Sequence, residues 1–179
     1  ATSLFAAQCQ IQEWAATESV DRVEPAVRKV YVELAEPVLG QDAPDLLRLE
    51  ERLGRFEAAP AVLRELPGVL RANDFQGTAV VADHRLIDFE AGDTTSRCYA
   101  VAFDVETTTL VGSLLDLKDG RELAVASSVN PQVSLGDDVL SRIKNAGEPG
   151  GLARLREAVV SEINRLIGRL CEDGGIERR

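Results

Sequence analysis

Apolar and polar positions change their period several times along the chain, and each change predicts an element. Val30, Val32 and Leu34 alternate with Lys29, Tyr31 and Glu33, the period of two by which a strand buries one face and wets the other. Leu46, Leu49, Leu53 and Phe56 then follow at helical spacing, one apolar stripe down a helix. Gly40, Asp42 and Pro44 mark the turn before that helix, with Asp42 placed to cap it and Asp45 three residues on. Pro60 and Pro67 predict two short helices with Leu63, Leu66 and Leu70 inward, because proline suits a first helical turn and not a helix interior. Strands over 78–82 and 85–89 flank the polar turn Asp83-His84 and complete a β-α-α-β-β unit. Ahead of it, Leu4, Phe5, Ile11 and Trp14 after a Ser3 cap predict a helix, and Thr17 to Arg22 a linker.

Ala91-Gly-Asp-Thr-Thr-Ser96 is a polar joint, and the domain boundary is set there. The expected division is a helix and linker over 1–22, a small domain over 23–95 and a second domain over 96–179. In the second, Tyr99–Asp104, Leu110–Leu117 and Glu122–Val129 read as strands, with Lys118-Asp-Gly-Arg121 a tight turn, giving an antiparallel meander. Asn130-Pro-Gln132 ends the sheet and Gly136 opens a helix in which Val139 and Ile143 lie one turn apart. Beyond the breaker Gly147-Glu-Pro-Gly-Gly151, the series Leu152, Leu155, Val159, Ile163, Leu166 and Leu170 defines the longest helix, closing at Gly174-Gly175. The helical stripes read as core faces. The fold class is α+β / α/β: a β-α-α-β-β domain, then three antiparallel strands followed by helices.

Composition narrows the function classes. With 179 residues and 45% apolar content, the chain can bury one core or two small ones. A formal charge of −10 disfavours nucleic acid and anionic lipid as partners, because that binding relies on Lys and Arg neutralising phosphates. Neither a membrane span nor a signal peptide is visible, so a soluble, cytoplasmic protein is expected. Cys9, Cys98 and Cys171 are too few and too scattered for a disulfide framework, a zinc site or an iron–sulfur ligand set, and read as buried thiols. The chain has no methionine, even at position 1, and is therefore expected to be a processed product or a fragment.

One segment could carry chemistry. An acidic residue at a strand end followed by a hydroxyl-rich turn can set a carboxylate to hold hydrated Mg²⁺ while backbone N–H groups and hydroxyls face phosphate oxygens. Asp104 followed by Thr107, Thr108 and Thr109 fits that description. A threonine-rich hairpin has the same composition, so spacing alone leaves both readings open. His84, the single histidine, sits at a turn tip and reads as solvated rather than catalytic.

A co-linear set of motifs adds to this. Tyr99-Ala-Val-Ala-Phe-Asp-Val-Glu-Thr-Thr-Thr-Leu-Val-Gly112, Leu117-Lys-Asp-Gly-Arg-Glu-Leu-Ala124, Ser128-Val-Asn-Pro-Gln132 and Gly136-Asp-Asp-Val-Leu-Ser-Arg-Ile143 closely resemble the start of the ATPase domain of the reductive activators of corrinoid proteins. Pro25-Ala-Val-Arg-Lys-Val-Tyr-Val-Glu-Leu34 and Gly92-Asp-Thr-Thr95 resemble that family's middle domain. The resemblance implies an actin-like (ASKHA, ribonuclease H-like) domain, incomplete here. In the family a [2Fe-2S] ferredoxin domain passes an electron to a Co(II) corrinoid on a partner protein, and ATP drives the step to Co(I). It further implies that Asp104 binds Mg²⁺ through water and that Thr107, Thr108 and Thr109 approach the phosphates. The cluster would belong to a part of the protein outside this chain, the partner would be a corrinoid protein, and a homodimer stays open.

Two departures bear on activity. The family loop reads Asp-x-Gly-Thr-Thr-Thr, and this chain has Glu106 at the glycine. A strained non-glycine backbone there would cost about 1–3 kcal/mol, and a carboxylate beside a polyanion repels it unless a cation bridges Glu106. The second phosphate loop and the adenosine-binding residues are also expected outside these residues, so the chain alone should not hydrolyse ATP. The competing readings are a docking module with a degenerate nucleotide loop and, behind it, an actin-like small-molecule kinase.

Overall fold

The computed structural model describes residues 25–40 and 43–178. It is a mixed α+β protein with two sheets and four α-helices among the described residues. It divides into two compact units, one of Glu24–Tyr99 with Asp116–Arg121, the other of Ala100–Leu115 with the chain from Glu122 onward. The helix and linker expected before residue 23, Cys9, and the Asp42 cap lie outside the described residues.

The first unit runs β1 (Val27–Glu33), α1 (Asp45–Leu53), β2 (Glu57–Ala58), α2 (Pro60–Ala72), β3 (Gln76–Ala82) and β4 (Arg85–Ala91). Its sheet has the order β1-β3-β4-β2, with β3 antiparallel to both neighbours and β2 parallel to β4. The two-residue β2 has no sequence period and could not be read beforehand. Central β3 is buried from Gly77 to Val81. Ile87 is an extra residue in the β3–β4 ladder, where Val80 faces Asp88 and Val81 faces Leu86. That bulge turns both Leu86 and Phe89 into the core, which strict alternation would forbid.

Two expectations fail in α2. The helix is continuous through Pro67, and its inward stripe is Val62, Leu66, Val69 and Leu70, while Leu63 is exposed. Proline removes one helical hydrogen bond at a cost of about 3 kcal/mol, and burial of Leu66 and Leu70 on both sides of Pro67 offsets it. α1 begins after Pro44, whose position offers no side-chain cap. The chain leaves α2 through Asp74 and Phe75, both with positive φ (52° and 59°). This left-handed backbone is held by Phe75 N–H to Leu70 O at 2.8 Å and Leu34 N–H to Phe75 O at 2.9 Å. Arg48 and Arg71, joined through Asp45, also lie over the Phe75 ring.

The segment after β4 is anchored despite its polar sequence. Thr78 Oγ1 donates to Gly92 O at 2.7 Å and accepts from Thr94 N–H at 2.9 Å, and both threonines are buried. Glu90 takes Lys29 Nζ at 2.7 Å and the Thr94 hydroxyl, so the charged pair closes this face of the sheet with its oxygens bonded.

The second unit is built from β5 (Tyr99–Val105), β6 (Thr109–Asp116), β7 (Arg121–Val129), a 3₁₀ turn (Pro131–Ser134), α3 (Val139–Ala146) and α4 (Gly151–Asp173). The meander has the order β5-β6-β7. One face packs on α4: Leu110, Leu114 and Ala126 meet Leu166 and Leu170, with Val101, Phe103, Val159 and Ile163 around them. Gly112 lets this happen, since a Cβ there would lie 2.7 Å from Phe103 Cε1 and 3.0 Å from Leu170 Cδ1. Gly151 is likewise required, because a Cβ there would run into the backbone carbonyl of Asn145 where α4 starts against the end of α3.

The expectation that the helical stripes are core is corrected for α3. Val139, Leu140 and Ile143 are 57%, 77% and 63% exposed, and Leu152 at the start of α4 is exposed too. α3 also begins at Val139 rather than Gly136, because Asp138 supplies its cap and Ser141 returns the bond in a capping box. Cys98 and Cys171 are free and buried. No helix among the described residues is long and apolar enough to cross a membrane.

Candidate phosphate-binding turn

The turn joining β5 to β6 holds the residues singled out by the sequence. Along β5, Val101 and Phe103 turn to the core while Ala102 and Asp104 are exposed on the opposite face. Asp104 therefore stands near the strand end with its carboxylate in solvent and without a hydrogen-bond partner among the described residues. The hairpin is closed by Glu106 N–H to Thr109 O at 2.9 Å. Glu106, Thr107 and Thr108 are exposed and Thr109 is half-buried.

The three threonines separate into two kinds. Thr109 Oγ1 donates to Glu106 Oε2 at 2.5 Å, so its hydroxyl is engaged. The hydroxyls and backbone N–H groups of Thr107 and Thr108 have no partner among the described residues. Glu106 does not carry the strain anticipated for a side chain at a glycine position: the positive-φ non-glycine residues described are Asp74, Phe75 and Asp83. Its backbone lies where any residue can lie, and what remains of the departure is its charge.

All three turn carbonyls are held from within the same unit. Asn130 Nδ2 donates to Glu106 O at 2.8 Å, Arg142 Nη2 to Thr107 O at 2.5 Å, and Asn130 N–H to Thr108 O at 2.8 Å. Asn130 is 1% exposed, and its Oδ1 accepts Gln132 N–H at 3.0 Å, starting the 3₁₀ turn. Arg142 also donates from Nε to Gly136 O at 2.9 Å and from Nη1 to Gln132 Oε1 at 3.3 Å. Gln132 in turn donates to Leu155 O of α4 at 2.9 Å. The Asp138 carboxylate is held below the usual range by the Ser141 backbone N–H and hydroxyl, which keeps it ionised at the start of the helix that carries Arg142.

Asn130, Gln132 and Arg142 fell inside motifs already recognised, yet no role for them could be read. The bonds of Asn130 and Arg142 to the turn span 24 and 35 residues of chain, and no local period reports such a contact. His84 is exposed at the β3–β4 turn, where its carbonyl accepts Glu57 N–H at 2.8 Å. No group of three or more His, Cys, Asp or Glu side chains able to hold a metal occurs among the described residues. Three cysteines in the sequence, two of them buried apart from any such group, do not fit a four-thiolate iron–sulfur cluster.

Two family profiles match successive parts of the chain. Residues 16–96 match the family profile described as the RACo linker region, and residues 99–179 match the RACo middle region. The corrinoid activation enzyme RamQ of Eubacterium limosum is 35% identical over 102 residues, covering 56% of this chain and 17% of that protein. A solved structure described as a reductive activator for corrinoid, iron-sulfur protein superposes with a TM-score of 0.69 at 34% identity, over 89% of this chain and 27% of that one. This chain thus spans well under a third of either relative. A linker-region match that passes directly into a middle-region match, on a backbone shared with a solved activator, places the chain in the RACo family of corrinoid reductive activators.

Proposed function

We propose that this chain works as part of an ATP-dependent activator that returns an inactive Co(II) corrinoid protein to Co(I), with the β5–β6 turn as its first phosphate loop. The observation carrying the proposal is the continuous match over the linker and middle regions, together with 34% identity to a solved reductive activator over 89% of the chain. The turn supports the nucleotide role. Thr107 and Thr108 offer two N–H groups and two hydroxyls to phosphate oxygens, and Asp104 offers an exposed carboxylate to a hydrated Mg²⁺. ATP, when bound, supplies the free energy for an uphill electron transfer; these residues bind and orient its phosphates. We read the second unit as an actin-like domain on the same grounds. The electron would come from an iron–sulfur group outside the cysteines present here.

The test mixes the full-length protein, a low-potential reductant and a Co(II) corrinoid protein, and follows the corrinoid absorption spectrum. Co(I) should accumulate only with MgATP, and equal accumulation without ATP would remove the nucleotide from the mechanism. The 179-residue chain by itself should not turn ATP over, since one phosphate loop cannot clamp a nucleotide. A docking module without nucleotide chemistry is the second reading, and the Glu106 carboxylate at the turn favours it. Corrinoid-protein binding without any MgATP affinity would select that reading.

A further inference from the structure

We propose that Asn130 and Arg142 are the positioning residues of the phosphate loop, aiming its N–H groups outward by holding its carbonyls inward. The inference rests on the reading of Asp104–Thr109 as a phosphate loop. In a trans peptide the C=O of one residue and the N–H of the next point in opposite directions. Asn130 holds Glu106 O and Arg142 holds Thr107 O. The N–H groups of Thr107 and Thr108 must therefore face away from the protein, side by side, as an anion-binding concavity does. The third carbonyl, Thr108 O, is turned inward by the backbone N–H of Asn130. None of the three turn carbonyls is left directed at an incoming polyanion.

Both residues are themselves fixed. Asn130 is buried and tied to Gln132 N–H, so its amide cannot swing away from Glu106 O. Arg142 is half-buried, and three of its nitrogens reach three separate oxygens: Thr107 O, Gly136 O and Gln132 Oε1. A planar guanidinium can do this in one rotamer, whereas an ammonium presents one point of charge. Arg142 also brings a positive charge to the protein side of the loop, and the role assigned here is orientation rather than charge alone. Pre-aimed donors need no reorganisation when charge arrives, which is the source of their effect.

The experiment measures MgATP affinity by calorimetry, and exchange of the Thr107 and Thr108 amides with and without MgATP, in the full-length protein. Arg142→Met, Arg142→Lys and Asn130→Ser are compared with wild type and with Val160→Ala, a control on the exposed face of α4. MgATP should slow exchange at both wild-type amides. Arg142→Met and Asn130→Ser should bind about tenfold or more weakly and lose that protection. Arg142→Lys should recover little of the loss, and the control none of the defect. Full recovery by Arg142→Lys would reduce the arginine to its charge and overturn its positioning role. Unchanged affinity in both Arg142→Met and Asn130→Ser would overturn the proposal while leaving the phosphate loop standing. A wild-type protein that does not bind MgATP would overturn the loop reading and the proposal with it. Asn130→Ser keeps a hydroxyl acceptor for Gln132 N–H, and folding of each variant is checked by circular dichroism. If Asn130→Ser does not fold, Arg142→Met and Arg142→Lys decide the matter alone.

Discussion

Adding one methyl group at Gly112 should destabilise the second unit by about 1–2 kcal/mol, and the structure says which neighbour is responsible. The new Cβ would lie 2.7 Å from Phe103 Cε1, 3.1 Å from Phe103 Cζ and 3.0 Å from Leu170 Cδ1. Overpacking of this kind costs about 1–3 kcal/mol. The backbone at Gly112 is not in the positive-φ region, so alanine suits the conformation and recovers about 0.4–1 kcal/mol by restricting the unfolded chain. The clash outweighs the gain. Two of the three short contacts belong to the Phe103 ring, so Phe103→Leu should remove most of the penalty. The double variant should then be more stable than the sum of the single effects by about 1 kcal/mol. Because the chain has two units, the readout is native-state exchange of the Leu110 and Leu114 amides in low urea, which reports this core alone. A Gly112→Ala protein as stable as wild type, or strict additivity with Phe103→Leu, would refute the packing argument.

The Asp138 carboxylate is held low by Ser141. Its stabilising effect should be present above the ordinary aspartate value of ~3.9 and be lost as pH falls through the lower folded value. Asp138→Ala should therefore be less stable than wild type at pH 7 by chemical denaturation, with the gap closing below about pH 4; a gap independent of pH would rule out the cap. Glu106→Gln in the full-length protein should bind MgATP about three- to tenfold more tightly by removing a charge beside the phosphates. Glu106→Gly should gain no more than this, because no positive φ is needed; equal affinity of Glu106→Gln and wild type would mean the carboxylate does not face phosphate. Burial pushes the Cys98 thiol up, against a smaller opposing effect of Lys29. Iodoacetamide at pH 8 should accordingly label Cys98 slowly in native protein and quickly in urea, and labelling at equal rates in both would contradict its burial.

The period of apolar residues was sufficient for most elements, because a strand or helix that buries one face must repeat at two or near 3.6. It located β1, β3 to β7, α1 and α4 to within a few residues. It misjudged α3 because a stripe says only that a face is apolar, and Val139, Leu140 and Ile143 have no neighbour among the described residues to cover them. It broke α2 at Pro67 because local rules count the lost hydrogen bond and not the burial of Leu66 and Leu70 that outweighs it.

The sequence by itself determined the order of most elements, the acidic character of the chain, the Asp104–Thr109 turn and the family that its motifs resemble. Each of these is written in consecutive residues or in short spacings. Tertiary structure alone decided that Glu106 is unstrained, that Thr109 is committed to Glu106, and that Asn130 and Arg142 hold the turn's carbonyls. Those facts depend on peptide orientation and on contacts between residues far apart in the chain, and both arise only when β7, the 3₁₀ turn and α3 fold back against the loop.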